Sequence, residues 1–265
     1  MKRWTAVVSS EIVPEAKPDP SFDDVFAGVA DVQGWMTPDQ ARMLWDSARA
    51  LRSGDQVVEI GSYQGRSTVI LASAVPDGAV VTAIDPHAGT DRGPQEISGK
   101  ETEAEQDSRI FQENLDRAGV RDRVTYLRHW SQDALAEFDG PINLLYIDGA
   151  HRYAPAKLDI DAWGDRVAPG GTLLIHDSFS SIGVTGAILS SLAFSSQWYY
   201  VGRAQSMTRY RRDSLATSQR VRSTGRQLAQ LPWFARNVLF KALISARLKR
   251  VAVALGADAT QDWPY

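Results

Sequence analysis

Residues 143–153 read NLLYIDGAHRY: the apolar run Leu144-Leu145-Tyr146-Ile147 delivers Asp148, then Gly149, and then His151 three residues past the acid. An imidazole with an ordinary titration near about 6.5 is suited to take a proton close to neutrality, and Gly149 gives the chain a place to turn so that His151 can face Asp148. Other short apolar runs end in the same way. VVEIG ends in Glu59 and Gly61, VVTAID in Asp85, VTYLRHW at Trp130 with Ser131 next, and GTLLIHD in His176 and Asp177. Four of these five exits therefore carry an acid. Local readings compete with functional ones: Asp148-Gly149 as a turn former, His151 as a packed or capping side chain, Asp177 as the N-cap of a following helix. Because successive strand residues face opposite sides, His176 and Asp177 are predicted to point apart, with Asp177 in the site and His176 supporting or structural.

The elements that position these residues follow from periodicity. Thr37-Pro38-Asp39-Gln40 is a helix start, with Thr37 as N-cap, Pro38 at the first helical position and Gln40 in the capping-box position; the helix runs on to Leu51. DQVVEIG is a strand, RSTVILASAV a helix and AVVTAID a strand. TEAEQDSRIFQENLDRAG is a helix, VTYLRHW a strand and SQDALAEF a helix. INLLYID, AKLDIDAWGDRV and GTLLIHD then give strand, helix, strand, the last after the turn Pro169-Gly170-Gly171. Alternating strands and helices imply βαβ units and a mostly parallel sheet with helices on both faces. QWYYVGRAQ and SMTRYRRD leave no room for a crossover helix and add an antiparallel edge hairpin, making a seven-stranded Rossmann-like α/β fold.

In such a sheet ligands sit beyond the carboxyl ends of the strands. Gly61 and Gly65 let a ligand approach the turn between strand and helix, where the helix N-terminus offers free N–H groups. Asp85 lies 24 positions after Gly61 (85 minus 61) and is placed to accept from two ribose hydroxyls, as in both nicotinamide-dinucleotide and S-adenosylmethionine folds. The first turn separates the two. A dinucleotide fingerprint needs a second glycine where Tyr63 stands, and Glu59 is unhelpful beside a pyrophosphate but suited to the ammonium and sulfonium of S-adenosylmethionine.

VVEIGSYQGRST, AIDPH, LLYIDGAHRYAPAKLDIDAW and APGGTLLIHDSF together resemble the class I S-adenosylmethionine-dependent methyltransferases, in the small-molecule O-methyltransferase branch that is similar to macrocin-type sugar O-methyltransferases and cephalosporin-hydroxylase-like proteins. The resemblance spans roughly residues 33–213. It implies that Glu59, Gly61, Ser62, Tyr63, Gly65 and Ser67 hold the methionine part of the donor, Asp85 the ribose, and Trp130 and Ser131 the adenine, with Asp148 at the donor's edge. Several members of the branch bind a divalent ion at the ends of the fourth and fifth strands, which implies Asp148 and Asp177 as ligands for Mg2+ and His151 as the base for an acceptor hydroxyl. Macrocin-type members place two adjacent acids at the fifth strand's end; this chain has His176-Asp177-Ser178. The expected activity is O-methylation of a small hydroxylated acceptor, a sugar or glycoside among the candidates. A nicotinamide-dependent oxidoreductase and a non-catalytic binding protein are the alternatives.

Residues 1–32 read as a lead-in, extended over EIVPEAKPDP, residues 33–213 as the catalytic domain and 214–265 as a basic helical extension. The polar, aperiodic segment His87 to Lys100 has the length of a lid or binding loop. Residues 1–202 carry 17 Lys+Arg against 29 Asp+Glu, and residues 203–265 carry 12 against 3, so the net charge of −3 conceals an acidic body and a basic tail. For the tail, a helical cap or dimer arm (hence a homo-oligomer), a peripheral contact with anionic lipid or a glycolipid substrate, and a loosely ordered end compete. If one helix starts at Leu231, Asn237, Lys241, Ser245 and Lys249 form a polar line while Arg236, Arg247 and Arg250 fall elsewhere, which is poor amphipathicity. Nucleic acid is disfavoured as a partner because the acidic body would repel phosphate. The absence of cysteine excludes disulfides, zinc–thiolate sites and cysteine nucleophiles. With no apolar run near the roughly 20 residues of a bilayer span, and only Ala6 to Val8 uninterrupted near the N-terminus, the expected location is the cytoplasm, with membrane association through the tail as a further option.

Overall fold

The computed structural model describes residues 19–89 and 101–257. The lead-in up to residue 18 and most of the His87–Lys100 segment, both singled out above, lie outside the described residues. Seven strands form one sheet: β1 (Gln56–Ile60), β2 (Val80–Ile84), β3 (Val124–Leu127), β4 (Ile142–Ile147), β5 (Val167–Ile175), β6 (Trp198–Ala204) and β7 (Met207–Arg212), in the order β3-β2-β1-β4-β5-β7-β6. The first five are parallel; β7 runs antiparallel to β5, and β6 antiparallel to β7. The chain reverses its direction of winding between β1 and β4, and this switch point opens the crevice in which ligands of such sheets bind.

The apolar run of β4 has a simple cause. Leu144 and Tyr146 belong to one core cluster and Leu145 and Ile147 to the other, so the two-residue period of a strand serves two buried faces at once. Val57 and Val58 of β1 divide in the same way. The helices covering the faces are α1 (Phe22–Gly28), α2 (Pro38–Arg49), α3 (Arg66–Ala74), α4 (Glu101–Ala118), the short α5 (Ser131–Ala134), α6 (Tyr153–Gly164) and α7 (Ile182–Ser191), followed by α8 (Thr217–Leu228), α9 (Leu231–Ser245) and α10 (Lys249–Ala254). The capping box of α2 is present: the Thr37 amide donates to Gln40 Oε1 at 2.8 Å and the Gln40 amide to Thr37 Oγ1 at 3.4 Å.

Three features differ from the sequence reading. Helix α1 had no counterpart there, yet Phe22 is buried in the first core cluster with its ring edge-on to Trp45 at 5.9 Å. Strand β5 begins at Val167, because Ile142 pairs with Val167 and Leu144 with Thr172, so the Pro169-Gly170-Gly171 turn is an irregularity within the strand. In the tail, α9 does start at Leu231, but Asn237 is fully buried and Lys241 donates to the Ser180 carbonyl at 2.8 Å. Two members of the polar line, Asn237 and Lys241, thus face backbone carbonyls of the body, whereas Ser245 and Lys249 are exposed. No helix of the described residues is long and apolar enough to cross a membrane.

Candidate active site

Two hollows open over the switch point. The first, of about 210 Å³, is lined by residues that include Trp35, Tyr63, Arg66, Ser67, His87 and His151; the second, of about 280 Å³, by residues that include Trp130, Ser131, Arg152 and Asp159. Gly61, Asp85 and Gly149 line both. Each hollow alone falls short of the roughly 300–1,000 Å³ of a small-molecule site, whereas the two together lie within it. The resulting cleft runs across the ends of β1, β2 and β4, from Trp130 to His151.

Gly61 is what allows β1 and β4 to end side by side. Its φ is +85°, and a Cβ there would collide with the Asp148 carbonyl, while the Asp148 amide donates to the Ile60 carbonyl at 2.8 Å. Tyr63 also adopts a left-handed conformation, with φ 47°. The turn is held from above by Asp85: its Oδ2 accepts the amides of Ser62 at 2.9 Å and Tyr63 at 2.8 Å, and its Oδ1 the amide of His87 at 2.8 Å. A carboxylate offers about four acceptor positions, so one is left for a ligand hydroxyl. The turn is held from below by Glu59, which is fully buried and accepts from Ser62 Oγ at 3.0 Å and from Thr68 Oγ1. Burial pushes its carboxyl up to about 7 despite the hydroxyls around it, and its Oε1 has no hydrogen-bond partner among the described residues. Glu59 thus stands beneath the first turn and does not line either hollow. Ser62, Tyr63 and Ser67 line the first hollow, and Trp130 and Ser131 the second; Gly65 caps α3 with φ 87°.

At the other end four side chains converge. His176 Nδ1 lies 3.1 Å from Asp148 Oδ1 and 3.3 Å from Asp177 Oδ2, and the same Asp177 oxygen is 2.8 Å from His151 Nε2. Tyr146 OH donates to Asp148 Oδ2 at 2.8 Å, and Ser180 Oγ to Asp177 Oδ1 at 2.9 Å. The expectation that His176 and Asp177 point apart is corrected here. Strand β5 stops at Ile175 and Asp177 is left-handed with φ 52°, so strand alternation does not reach it. Burial alone would lower the His176 pKa, but the charges of Asp148 and Asp177 prevail and hold it well above the usual imidazole range. Burial likewise opposes ionisation of Asp177, and His176 and His151 overcome it, keeping that carboxyl well below the usual range. The two carboxylates thus favour the protonated form of His176.

One ligand atom each from Asp148, His151 and Asp177 lie within 4.8 Å of one another. Two carboxylates and an imidazole are a reasonable donor set for a divalent ion, which would compete with the charge that His176 already provides.

Sequence reasoning passed over several contributors. Tyr146 had a signal, since residues i and i+2 of a strand share a face and it precedes Asp148 by two. His87, buried between the Tyr63 carbonyl (2.7 Å from Nε2) and Tyr126 OH (2.6 Å from Nδ1), lay within the AIDPH motif without a role. Asp159, on α6, accepts from Ser131 Oγ at 2.5 Å, and burial raises it to about 6; Trp163 Nε1 donates to the Ser131 carbonyl at 3.1 Å. Together they anchor the loop that begins the second hollow. Tyr63 stacks on Trp35 at the rim, with centroids 6.1 Å apart.

Residues 58–178 match a protein-family model described as a methyltransferase domain. Among solved structures, the chain is similar to a protein from Corynebacterium glutamicum (14% identity, TM-score 0.56, covering 74% of this chain and 91% of that one) and to the O-methyltransferase NovP (16%, 0.52, 66% and 80%). A SAM-dependent O-methyltransferase from Thermotoga maritima is a third (17%, 0.50, 74% and 73%). At such identities the likeness is one of fold.

Proposed function

We propose, for this member of the class I S-adenosylmethionine-dependent methyltransferases, that it transfers the donor's methyl group to a hydroxyl oxygen of a small acceptor, with sugars and glycosides as the first class to test. The observation that carries this reading is the pair of adjoining hollows that share Gly61, Asp85 and Gly149, with a backbone-built turn and an acceptor-rich carboxylate on one side and a titratable cluster on the other. When bound, the donor supplies an electrophilic methyl on a sulfonium.

The residues of this chain do the rest. Trp130 and Ser131 flank the adenine, Asp85 takes a ribose hydroxyl with its remaining acceptor position, and Gly61, Ser62, Tyr63, Gly65 and Ser67 receive the methionine part. Glu59 acts from below, fixing Ser62 and Thr68 and placing a partly ionised carboxylate under the cationic donor. Asp177 Oδ2 accepts from His151 Nε2 at 2.8 Å, so His151 takes the acceptor's proton at its other ring nitrogen, Nδ1, and Asp177 stabilises the imidazolium that results. Asp148, fixed by Tyr146 and His176, orients the acceptor hydroxyl, and the Trp35–Tyr63 pair offers a flat apolar wall beside it. Acceleration then comes from alignment and from charges already in place.

Metal assistance is the second reading, favoured by the proximity of Asp148, His151 and Asp177. These three would hold the ion, which would act as a Lewis acid on the acceptor hydroxyl, and His151 would then be a ligand and not the base. The test is calorimetry with S-adenosylmethionine and with NADH, followed by turnover on a panel of hydroxylated acceptors with Mg2+ or with a chelator. We expect donor binding, no NADH binding, and methylation of at least one acceptor. NADH binding without S-adenosylmethionine binding overturns the reading; unchanged turnover in chelator overturns only the metal.

A further inference from the structure

Residues 217–257, which form α8, α9, α10 and their connections, carry eight Lys and Arg and no Asp or Glu. Lys241 is turned inward to Ser180, and Arg220 and Arg226 donate to the backbone carbonyls of Phe194 and Val201. The other five are Arg222, Arg236, Arg247, Lys249 and Arg250. Among the described residues none of them forms a salt bridge. Exposed aliphatic side chains lie between these cations. Within the nine residues 247–255, Leu248, Val251, Val253 and Leu255 are 48%, 44%, 38% and 58% exposed, while Ala252 alone packs inward in a small cluster with Phe240. On α8, Val221 is 68% exposed between Arg220 and Arg222.

We propose that α8–α10 dock the enzyme on an anionic phospholipid bilayer, with the arginines and lysines on the phosphates and the α10 aliphatics entering the boundary between head groups and acyl chains. This surface combines the two properties such docking needs, unneutralised positive charge and apolar side chains already exposed to water. The rest of the molecule adds direction. Residues 1–202 have twelve more acids than Lys and Arg, so a negatively charged surface attracts the tail, repels the body, and selects one orientation.

Two other occupants fit less well. RNA would satisfy the cations but would leave the aliphatics nothing to bury against, and the Trp233 ring is already covered by the Arg203 guanidinium at 3.9 Å. A second copy meeting this surface across a two-fold axis would set a wholly cationic face against itself.

The experiment is co-sedimentation of the full chain with vesicles of phosphatidylcholine alone and of phosphatidylcholine with phosphatidylglycerol. Salt is raised from about 0.1 M to about 1 M, which shortens the screening length from about 10 Å to about 3 Å. Expected are binding at least about tenfold tighter to the mixed vesicles, its loss at high salt, and an at least tenfold weakening in the triple variant Arg247→Gln/Lys249→Gln/Arg250→Gln and, separately, in Val251→Ser/Leu255→Ser. Donor affinity of both variants stays at the wild-type value, which shows that they are folded. No binding to mixed vesicles at low salt, equal binding to both vesicle types, variants that bind like wild type, or retention on a mixed-sequence RNA without vesicle binding each overturns the proposal.

Discussion

The two ends of the cleft are built from different materials. At the donor end the polar groups are mostly backbone amides, fixed by two buried carboxylates: Asp85 accepts three amides, and Glu59 accepts the hydroxyls of Ser62 and Thr68. At the acceptor end the polar groups are side chains that fix one another, with His176 between Asp148 and Asp177, and His151 against Asp177. An end made of backbone gives a shape that many side chains tolerate, and suits a ligand common to a whole family. An end made of mutually charged side chains gives a field that one substitution can overturn, and suits the reacting atoms. If this division is right, the two ends fail separately.

The sharpest break is Asp177→Asn. The His151 imidazolium would lose its counter-charge and His176 would lose one of the two carboxylates that keep it protonated. We expect kcat on a working acceptor to fall by about 10²- to 10⁴-fold while the calorimetric affinity for S-adenosylmethionine changes by less than about twofold. Equal losses in both quantities would show that the ends are not separable.

The uneven legibility of the sequence follows from the same division. The convergence of Glu59, Gly61 and Asp85 on the first turn could be read because its requirements are local: an acid at a strand end, glycines in the turn after it, another acid at the next strand end. The position of Glu59 beneath the turn could not, since it depends on how Ser62 and Thr68 fold over it. The sheet was readable because each strand of the parallel part is a short apolar run, whereas α1 and the inward face of α9 were not. Phe22 finds its partner in Trp45, and Asn237 in the Phe179 carbonyl, 58 residues away in the chain. At the acceptor end Asp148, His151 and Asp177 stood out by position and type. The inclusion of His176 rests on a left-handed residue that strand alternation cannot foresee.

A second break concerns Glu59. The rise of its carboxyl from 4.5 to about 7 means that the fold favours the neutral form, by about 3 kcal/mol at full effect. That stabilisation is complete below about pH 4.5 and is lost as pH rises through about 7. Apo protein is therefore expected to melt lower at pH 8.5 than at pH 6, and in Glu59→Gln, which keeps the volume and stays neutral, the difference shrinks. The cationic donor should favour the ionised form, so wild-type affinity rises with pH over the same interval while that of Glu59→Gln does not. A pH-independent melting temperature in the wild type would refute the burial of an ionisable Glu59, and identical affinity profiles would remove it from the donor end.

The smallest effect tests how far the acceptor end extends. The loop that carries Asp177 holds two left-handed non-glycine residues, Asp177 and Phe179, with φ 52° and 55°. Such conformations persist only where the surroundings fix them. Ser178 Oγ is 2.7 Å from Thr208 Oγ1 on β7, Asn237 Nδ2 donates to the Phe179 carbonyl at 3.1 Å, and Lys241 Nζ to the Ser180 carbonyl at 2.8 Å. Two of these three restraints come from α9, so the basic extension is part of the frame of the acceptor end. Asn237→Leu removes the restraint on Phe179 and also the Asn237 Oδ1, which has no hydrogen-bond partner among the described residues, and this limits the stability loss to about 1 kcal/mol. The expected kinetic signature is a fall in kcat of about fivefold, with the donor's affinity unchanged and with partial recovery in Asn237→Gln. A variant that loses stability but keeps the wild-type kcat would confine α9 to packing and place the boundary of the acceptor end at Ser180.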